Sequence, residues 1–213
     1  MMTMDLDGLK LEAHLRMPQN ADRVAIFVHG SGSSRHSPRN SFVAERLEQD
    51  GIASLLFDLL TEAEDASRET RFDIDLLTRR VEAVVEWTKS RSELSGLARH
   101  LFGASTGAAA AVRAAVGLGD REGAAADELR VRTIVSRGGR PDLAGDALGR
   151  LQVPCLLIVG GNDPEVLSMN RDARARMTCE SELRVVEGAT HLFQEPGALD
   201  EVARLACDWI LRS

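Results

Sequence analysis

Short apolar runs alternate along this chain with stretches of helical period, and that alternation sets the expected architecture. Leu9 to Met17 places Leu11, Ala13, Leu15 and Met17 on one face, the two-residue period of a half-exposed edge strand. Pro18 ends it, and Gln19-Asn20-Ala21-Asp22 is turn-forming. Val24 to Val28 is apolar without interruption, as expected of a strand buried on both faces of a parallel sheet. It runs into His29-Gly30-Ser31-Gly32-Ser33-Ser34, a loop built for close approach. Asn40 or Ser41 is expected to cap a helix through Phe42, Val43, Leu47 and Gln49, which Gly51 stops. Ile52 to Leu60 is the next buried strand, and Thr61 to Arg71 is a polar, acidic surface excursion. From Asp73 to about Arg91, Ile74, Leu77, Val81, Val84 or Val85 and Trp87 or Thr88 recur at helical spacing.

The apolar run His100-Leu101-Phe102 then ends in Gly103-Ala104-Ser105-Thr106-Gly107, and an alanine-rich helix, Ala108 to Val116, follows at once. Gly117 to Glu128 reads as a loose connection. Val131 to Ser136 is a strand that opens into Arg137-Gly138-Gly139-Arg140-Pro141-Asp142. Val153 to Val159 is a very apolar strand, followed by Gly160-Gly161-Asn162-Asp163-Pro164 and a helix from about Glu165 to Met177. Leu183 to Val186 is a short strand ending at Glu187-Gly188-Ala189-Thr190-His191, and the last helix covers about Gly197 to Leu211. Strands alternating with helices predict an α/β fold, a mostly parallel sheet with helices on both faces. With no internal repeat or low-complexity linker, one domain over residues 1–213 is the economical reading.

Composition narrows the function classes. At 213 residues with 44% apolar side chains, the chain can bury a large core. A net charge of −7 gives no general attraction to nucleic acid or an anionic membrane, and 4% aromatics with no tyrosine offers no base-stacking platform. The apolar stretches are strand-sized, short of a bilayer span. No basic region followed by an apolar one opens the chain, so no secretory signal is expected. Cys155, Cys179 and Cys207 form no Cys-x-x-Cys pair, which argues for reduced thiols in a cytoplasmic protein and against a zinc site or disulfide framework.

The Gly-x-Ser-x-Gly stretch carries the strongest chemical signal. A strand, a sharp turn and a helix are what a nucleophile elbow requires, with residues small enough two places either side of the serine for the chain to fold back. In open α/β sheets, ligands bind outside the carboxyl ends of the strands. Four loops leave strands there with reactive or anion-friendly groups: those of His29, Ser105, Asp163 and His191. Serine, acid, histidine is the chain order of an α/β-hydrolase.

On these marks the chain resembles a small, lid-poor α/β-hydrolase of the dienelactone-hydrolase-like kind, over nearly its whole length. The marks are His29-Gly30-Ser31-Gly32, Gly103-Ala104-Ser105-Thr106-Gly107, Gly160-Gly161-Asn162-Asp163 and Gly188-Ala189-Thr190-His191. The resemblance implies a three-layer α/β-hydrolase fold without a large cap domain. It also implies Ser105 as nucleophile, His191 as general base and then acid, and Asp163 as the carboxylate orienting the imidazole. One residue departs from the pattern: dienelactone hydrolases use a cysteine nucleophile, and this chain has serine. The backbone N–H groups of Ser31 and Thr106 are the candidate oxyanion donors. Such chemistry needs no metal or cofactor, and the implied partner is a small ester, thioester or lactone.

Alternatives stand beside each assignment. Asp163, before Pro164 at a helix start, also suits an N-cap, and Asp142 is a competing acid. His191 read alone suits a surface strand end, and His29 suits a residue pinning its loop. Arg35, His36 and Arg39, with Arg137 and Arg140, read either as solvated loop charges or as a cationic rim selecting carboxylate- or phosphate-bearing esters. At the level of the whole protein, a non-catalytic binding module and an acyltransferase share the same residues. A nucleotide-binding domain fits poorly, since Gly30-Ser31-Gly32-Ser33-Ser34-Arg35 lacks the third glycine and the Gly-Lys-Ser/Thr signatures.

Overall fold

In a computed structural model that describes residues 1–121 and 129–213, the apolar runs lie side by side in one sheet, in the order β1-β2-β4-β3-β5-β6-β7-β8. The strands are β1 (Met2–Leu6), β2 (Leu9–Arg16), β3 (Arg23–Val28), β4 (Ala53–Phe57), β5 (Ala98–Ala104), β6 (Val131–Arg137), β7 (Cys155–Gly160) and β8 (Ser181–Val186). β1, β2 and β4 pair antiparallel, and every pairing from β4 across to β8 is parallel. The continuous apolar runs of β3 from Val24 and of β7 follow, as does that of β4 apart from Ser54, because both faces of these strands are covered.

The helices are α1 (Pro38–Gln49), α2 (Glu62–Asp65), α3 (Arg68–Arg71), α4 (Ile74–Lys89), α5 (Thr106–Gly119), α6 (Ala147–Arg150), α7 (Pro164–Arg176) and α8 (Ala198–Leu211). α4 and α5 pack on one face, where Val81, Val84, Ala109 and Val112 meet Ile26, Leu101 and Ile134. α1 and α8 cover the other, where Val43, Leu47, Val202 and Ile210 meet Phe27, Phe102 and Val135. On that second face the rings of Phe27 and Phe102 lie 4.7 Å apart.

Three local expectations need correcting. β1 was not expected; it forms a hairpin with β2 through Asp7-Gly8, both at positive φ. α1 begins at Pro38 because Ser37 Oγ accepts from the Asn40 N–H, so neither Asn40 nor Ser41 is the cap. The 61–71 excursion holds two single-turn helices, the first closed by a capping box between Thr61 and Glu64. Of the expected 117–128 connection, Gly117 to Gly119 complete α5, and 122–128 lie outside the described residues. No helix among the described residues is long and apolar enough to cross a membrane.

The middle of the sheet also holds a titrating group. His100 is fully buried and its Nδ1 pairs with Thr133 Oγ1 across to β6 at 3.0 Å. Burial pushes its pKa from 6.5 down to about 4. Below 6.5 the unfolded chain binds a proton that the folded one refuses, so this stabilisation is complete above that pH and is lost as pH falls through about 4. Its size is on the order of 3 kcal/mol. Denaturant unfolding at pH 7 and pH 4.5 should show the loss, and His100→Gln should reduce it. An unchanged pH dependence in that variant would contradict the assignment to His100.

Candidate active site

The turn between β5 and α5 is backbone-strained at one residue. Ser105 has φ 50° and ψ −124°, a conformation side chains avoid unless their surroundings impose it. The two flanking glycines make the turn possible. A Cβ on Gly103 would lie 2.5 Å from Ala108 Cα, and one on Gly107 would run into the carbonyl oxygens of Val28 and His29. Gly107→Ala should therefore destabilise the protein by about 3 kcal/mol, measured by chemical unfolding, because backbone and not a movable side chain is in the way. A variant as stable as the parent would show that the elbow is looser than this.

Neighbouring loops hold the elbow in place. The Ser105 N–H donates to Arg137 O at 3.4 Å, and Ser105 O accepts from the N–H groups of Arg140 and Ala108 at 3.0 and 3.1 Å. Gly30 approaches so closely that a Cβ there would sit 2.8 Å from Ser105 Cβ. Gly138 packs on His191: a Cβ at Gly138 would lie 3.6 Å from the imidazole Cε1. Ser105 and His191 thus flank one dipeptide, Arg137-Gly138, at the end of β6.

Asp163 reaches His191 directly, with 2.7 Å between Oδ2 and Nδ1. Its other oxygen accepts the Val166 N–H at 3.5 Å, so Asp163 is the N-cap of α7 and the partner of the imidazole at once. The loop bearing Asp163 is tied to the loop bearing His191 by Asn162, whose N–H donates to Ala189 O and whose side-chain amide donates to Gly188 O, each at 2.9 Å. Asp142 is engaged elsewhere, taking a two-pronged hydrogen bond from Arg140 at 2.9 and 2.8 Å. Among the described residues Ser105 Oγ takes part in no hydrogen bond, and Nδ1 of His191 is committed to Asp163. That leaves Nε2 as the ring nitrogen of His191 without a hydrogen bond among the described residues.

The remaining candidates separate clearly. His29 is buried; its Nε2 accepts the Leu59 N–H at 3.0 Å, which leaves Nδ1–H to donate to Gly30 O at 2.9 Å. Burial holds its pKa below the usual histidine value, so it clasps the loop as a neutral ring. The Thr106 N–H, at the first position of α5, has no intrahelical acceptor and is oriented by the elbow. The Ser31 N–H donates to Thr106 Oγ1 at 2.9 Å, so it must exchange that partner before it can serve an oxyanion.

Arg35 is paired with Asp58 through both its guanidinium and its backbone N–H, which fastens the loop after β3 to the end of β4. The His36 ring stands edge-on to His14, 5.1 Å between centroids. Arg39 has no ion-pair or hydrogen-bond partner among the described residues, and its Nε is buried. It lines a cleft of about 370 Å3 with Ser33, Ser34, His36, Ser37 and Asp65, so the 61–71 excursion borders that cleft. A larger cavity of about 590 Å3 lies at the opposite end of the strands, against Val116, Arg130, Val131 and Gln152, away from this chemistry. Asp58 and the burial of Arg137 were both missed in the sequence. An acid directly after a buried strand was the available signal for Asp58, and Arg137 gave none.

No protein-family profile matches the chain. Two Mycobacterium tuberculosis proteins, of strains CDC 1551 and H37Rv, each named "Putative phosphoribosyl transferase", are 50% identical over 198 residues, which is 93% of this chain and 43% of theirs. The chain therefore spans less than half the length of these curated relatives, and their name concerns the whole proteins. The crystal structure of a dienelactone hydrolase from Anabaena variabilis matches with a TM-score of 0.91 at 43% identity, covering 99% of this chain and 95% of that one. Est1E from Butyrivibrio proteoclasticus matches with a TM-score of 0.81 at 17% identity over 99% and 97%, a likeness of fold alone.

Proposed function

This chain belongs to the dienelactone-hydrolase-like α/β-hydrolases, and from that premise we propose that it is a serine hydrolase cleaving a small ester, thioester or lactone through an acyl-enzyme. The observation that carries the reading is the Asp163–His191 hydrogen bond of 2.7 Å, set across one dipeptide from a serine at φ 50°. An alcohol is a poor nucleophile at neutral pH until a base removes its proton. In this reading Nε2 of His191 takes the proton of Ser105 Oγ as the oxygen bonds to the substrate carbonyl carbon. The carbonyl electron pair moves to oxygen, where the Thr106 N–H, and the Ser31 N–H once released from Thr106 Oγ1, receive the negative charge. Collapse of that intermediate breaks the bond to the leaving group, which takes the proton back from His191. Water then repeats the sequence on the acyl-serine. Asp163 stays ionised, holding the proton-bearing Nδ1 in place and stabilising the imidazolium.

Dienelactone hydrolase is the name of the Anabaena protein; for this chain, lactones are one of three proposed substrate classes. Arg35, spent on Asp58, is a loop clamp in this scheme and not a substrate ligand. Mass-spectrometric screening of ester, thioester and lactone hydrolysis, with the Ser105→Ala protein as blank, tests the proposal. Turnover above that blank in at least one class is expected. Turnover equal in the two proteins would refute it.

A further inference from the structure

The strand beside the elbow, β6, ends in a charge without a partner. Arg137 closes β6, and its carbonyl holds the Ser105 N–H at 3.4 Å. Along β6, Ser136 faces α5, since a Cβ on Gly139 would strike both Ser136 Oγ and Ala108 Cβ. By strand alternation Arg137 turns the other way, with Val135, toward the layer of α1 and α8. It is 8% exposed, yet among the described residues its guanidinium makes no hydrogen bond or ion pair, and Nη1 is enclosed with nothing to donate to. The nearby charge acting on it is a second cation, Arg39, in the first turn of α1, a turn without acidic residues. Arg39 is likewise unpaired. The neighbouring arginines differ: Arg35 has Asp58 and Arg140 has Asp142. Burial and Arg39 together lower the Arg137 pKa only to about 10, so it stays cationic at neutral pH. Removing one partner of a buried ion pair is strongly unfavourable, and here a buried cation, whose own backbone carbonyl holds the Ser105 N–H, has none.

We infer that Arg137 and Arg39 form a subsite for a phosphate monoester carried by the substrate, a few bonds from the carbonyl that Ser105 attacks. Two guanidinium groups match a phosphate with a charge near −2, whereas one carboxylate leaves a positive charge uncompensated. Their planar forks also suit tetrahedral phosphate oxygens bidentately. The fate of the bound molecule rests on the serine-hydrolase reading; the anion binding does not.

Two measurements separate the claims. Inorganic phosphate is titrated calorimetrically into the Ser105→Ala protein, and the parent chain is assayed on three matched esters bearing a phosphate monoester, a carboxylate or a neutral hydroxyl. Phosphate should bind, and Arg137→Met and Arg39→Ala should each weaken it about 10- to 100-fold, with Arg137→Lys intermediate. The parent should prefer the phosphorylated ester, inorganic phosphate should compete with it, and that preference should fall by a similar factor in the variants. Should Arg137→Met not fold, Arg39→Ala on the half-buried first turn of α1 carries the test. Cleavage of the neutral ester through Ser105 with no phosphate binding would overturn the subsite and leave the hydrolase. Phosphate binding that depends on Arg137, with no ester cleaved, would keep the subsite and overturn the hydrolase. Equal preference for the carboxylate and phosphate esters, or equal losses on all three, would overturn the assignment to phosphate.

Discussion

Ser105→Ala is expected to lower kcat by a factor on the order of 10⁴ to 10⁶ while the protein remains folded. Without Oγ there is no atom to form the acyl bond, and what survives is the help given by oxyanion donors and binding alone. His191→Ala should be about as damaging, because in the proposed mechanism the alcohol is inert without this base. The double variant should be no worse than either single one, since the two side chains perform one step between them. Fold integrity is checked by unfolding midpoint, and turnover by the substrate found in screening. Losses that multiply in the double variant would mean that Ser105 and His191 act independently, against the geometry that sets them on either side of Arg137-Gly138.

The second large effect distinguishes two acids. Asp163→Asn should reduce kcat about 10³- to 10⁴-fold, because an amide at that position favours the wrong imidazole tautomer and no longer balances the imidazolium. Its cost in stability should be small, since asparagine caps a helix nearly as well as aspartate and the Val166 N–H keeps its acceptor. Asp142→Asn should cost less than tenfold, because that carboxylate is engaged by Arg140 and not by the imidazole. Steady-state kinetics on both variants decides the matter, and the reverse order of damage would move the acid from 163 to 142.

Much of the parallel sheet was readable because burial on both faces leaves continuous apolar runs, as at Val24–Val28 and Cys155–Gly160. β1 escaped because Met2–Leu6 is short and mixed in polarity, although Asp7-Gly8 is a hairpin signal in its own right. The start of α1 was misjudged by favouring Asn40 and Ser41 over Ser37-Pro38, where proline at the first helical position is the stronger cue. Candidate site residues could be named because strand ends carry them, and Asp163 was preferred to Asp142 because it leaves the longer and more apolar strand, but which oxygen meets the imidazole depends on the fold. The bond from the Ser31 N–H to Thr106 Oγ1 depends on a side-chain rotamer, and the Arg35–Asp58 pair spans residues brought together only by the β3–β4 pairing. Neither leaves a mark on hydrophobic periodicity. Arg137 read as a solvated loop charge or part of a cationic rim, and its enclosure was not legible, because the alternation of β6 directs it inward at the last position of the strand.

The central claim is that Ser105 is an activated nucleophile. Labelling with a fluorophosphonate, followed by peptide mass spectrometry, tests it most directly. A single adduct is expected on the peptide containing Ser105, absent from the Ser105→Ala protein and strongly slowed in His191→Ala. No adduct at Ser105, or one elsewhere that persists in Ser105→Ala, would contradict it.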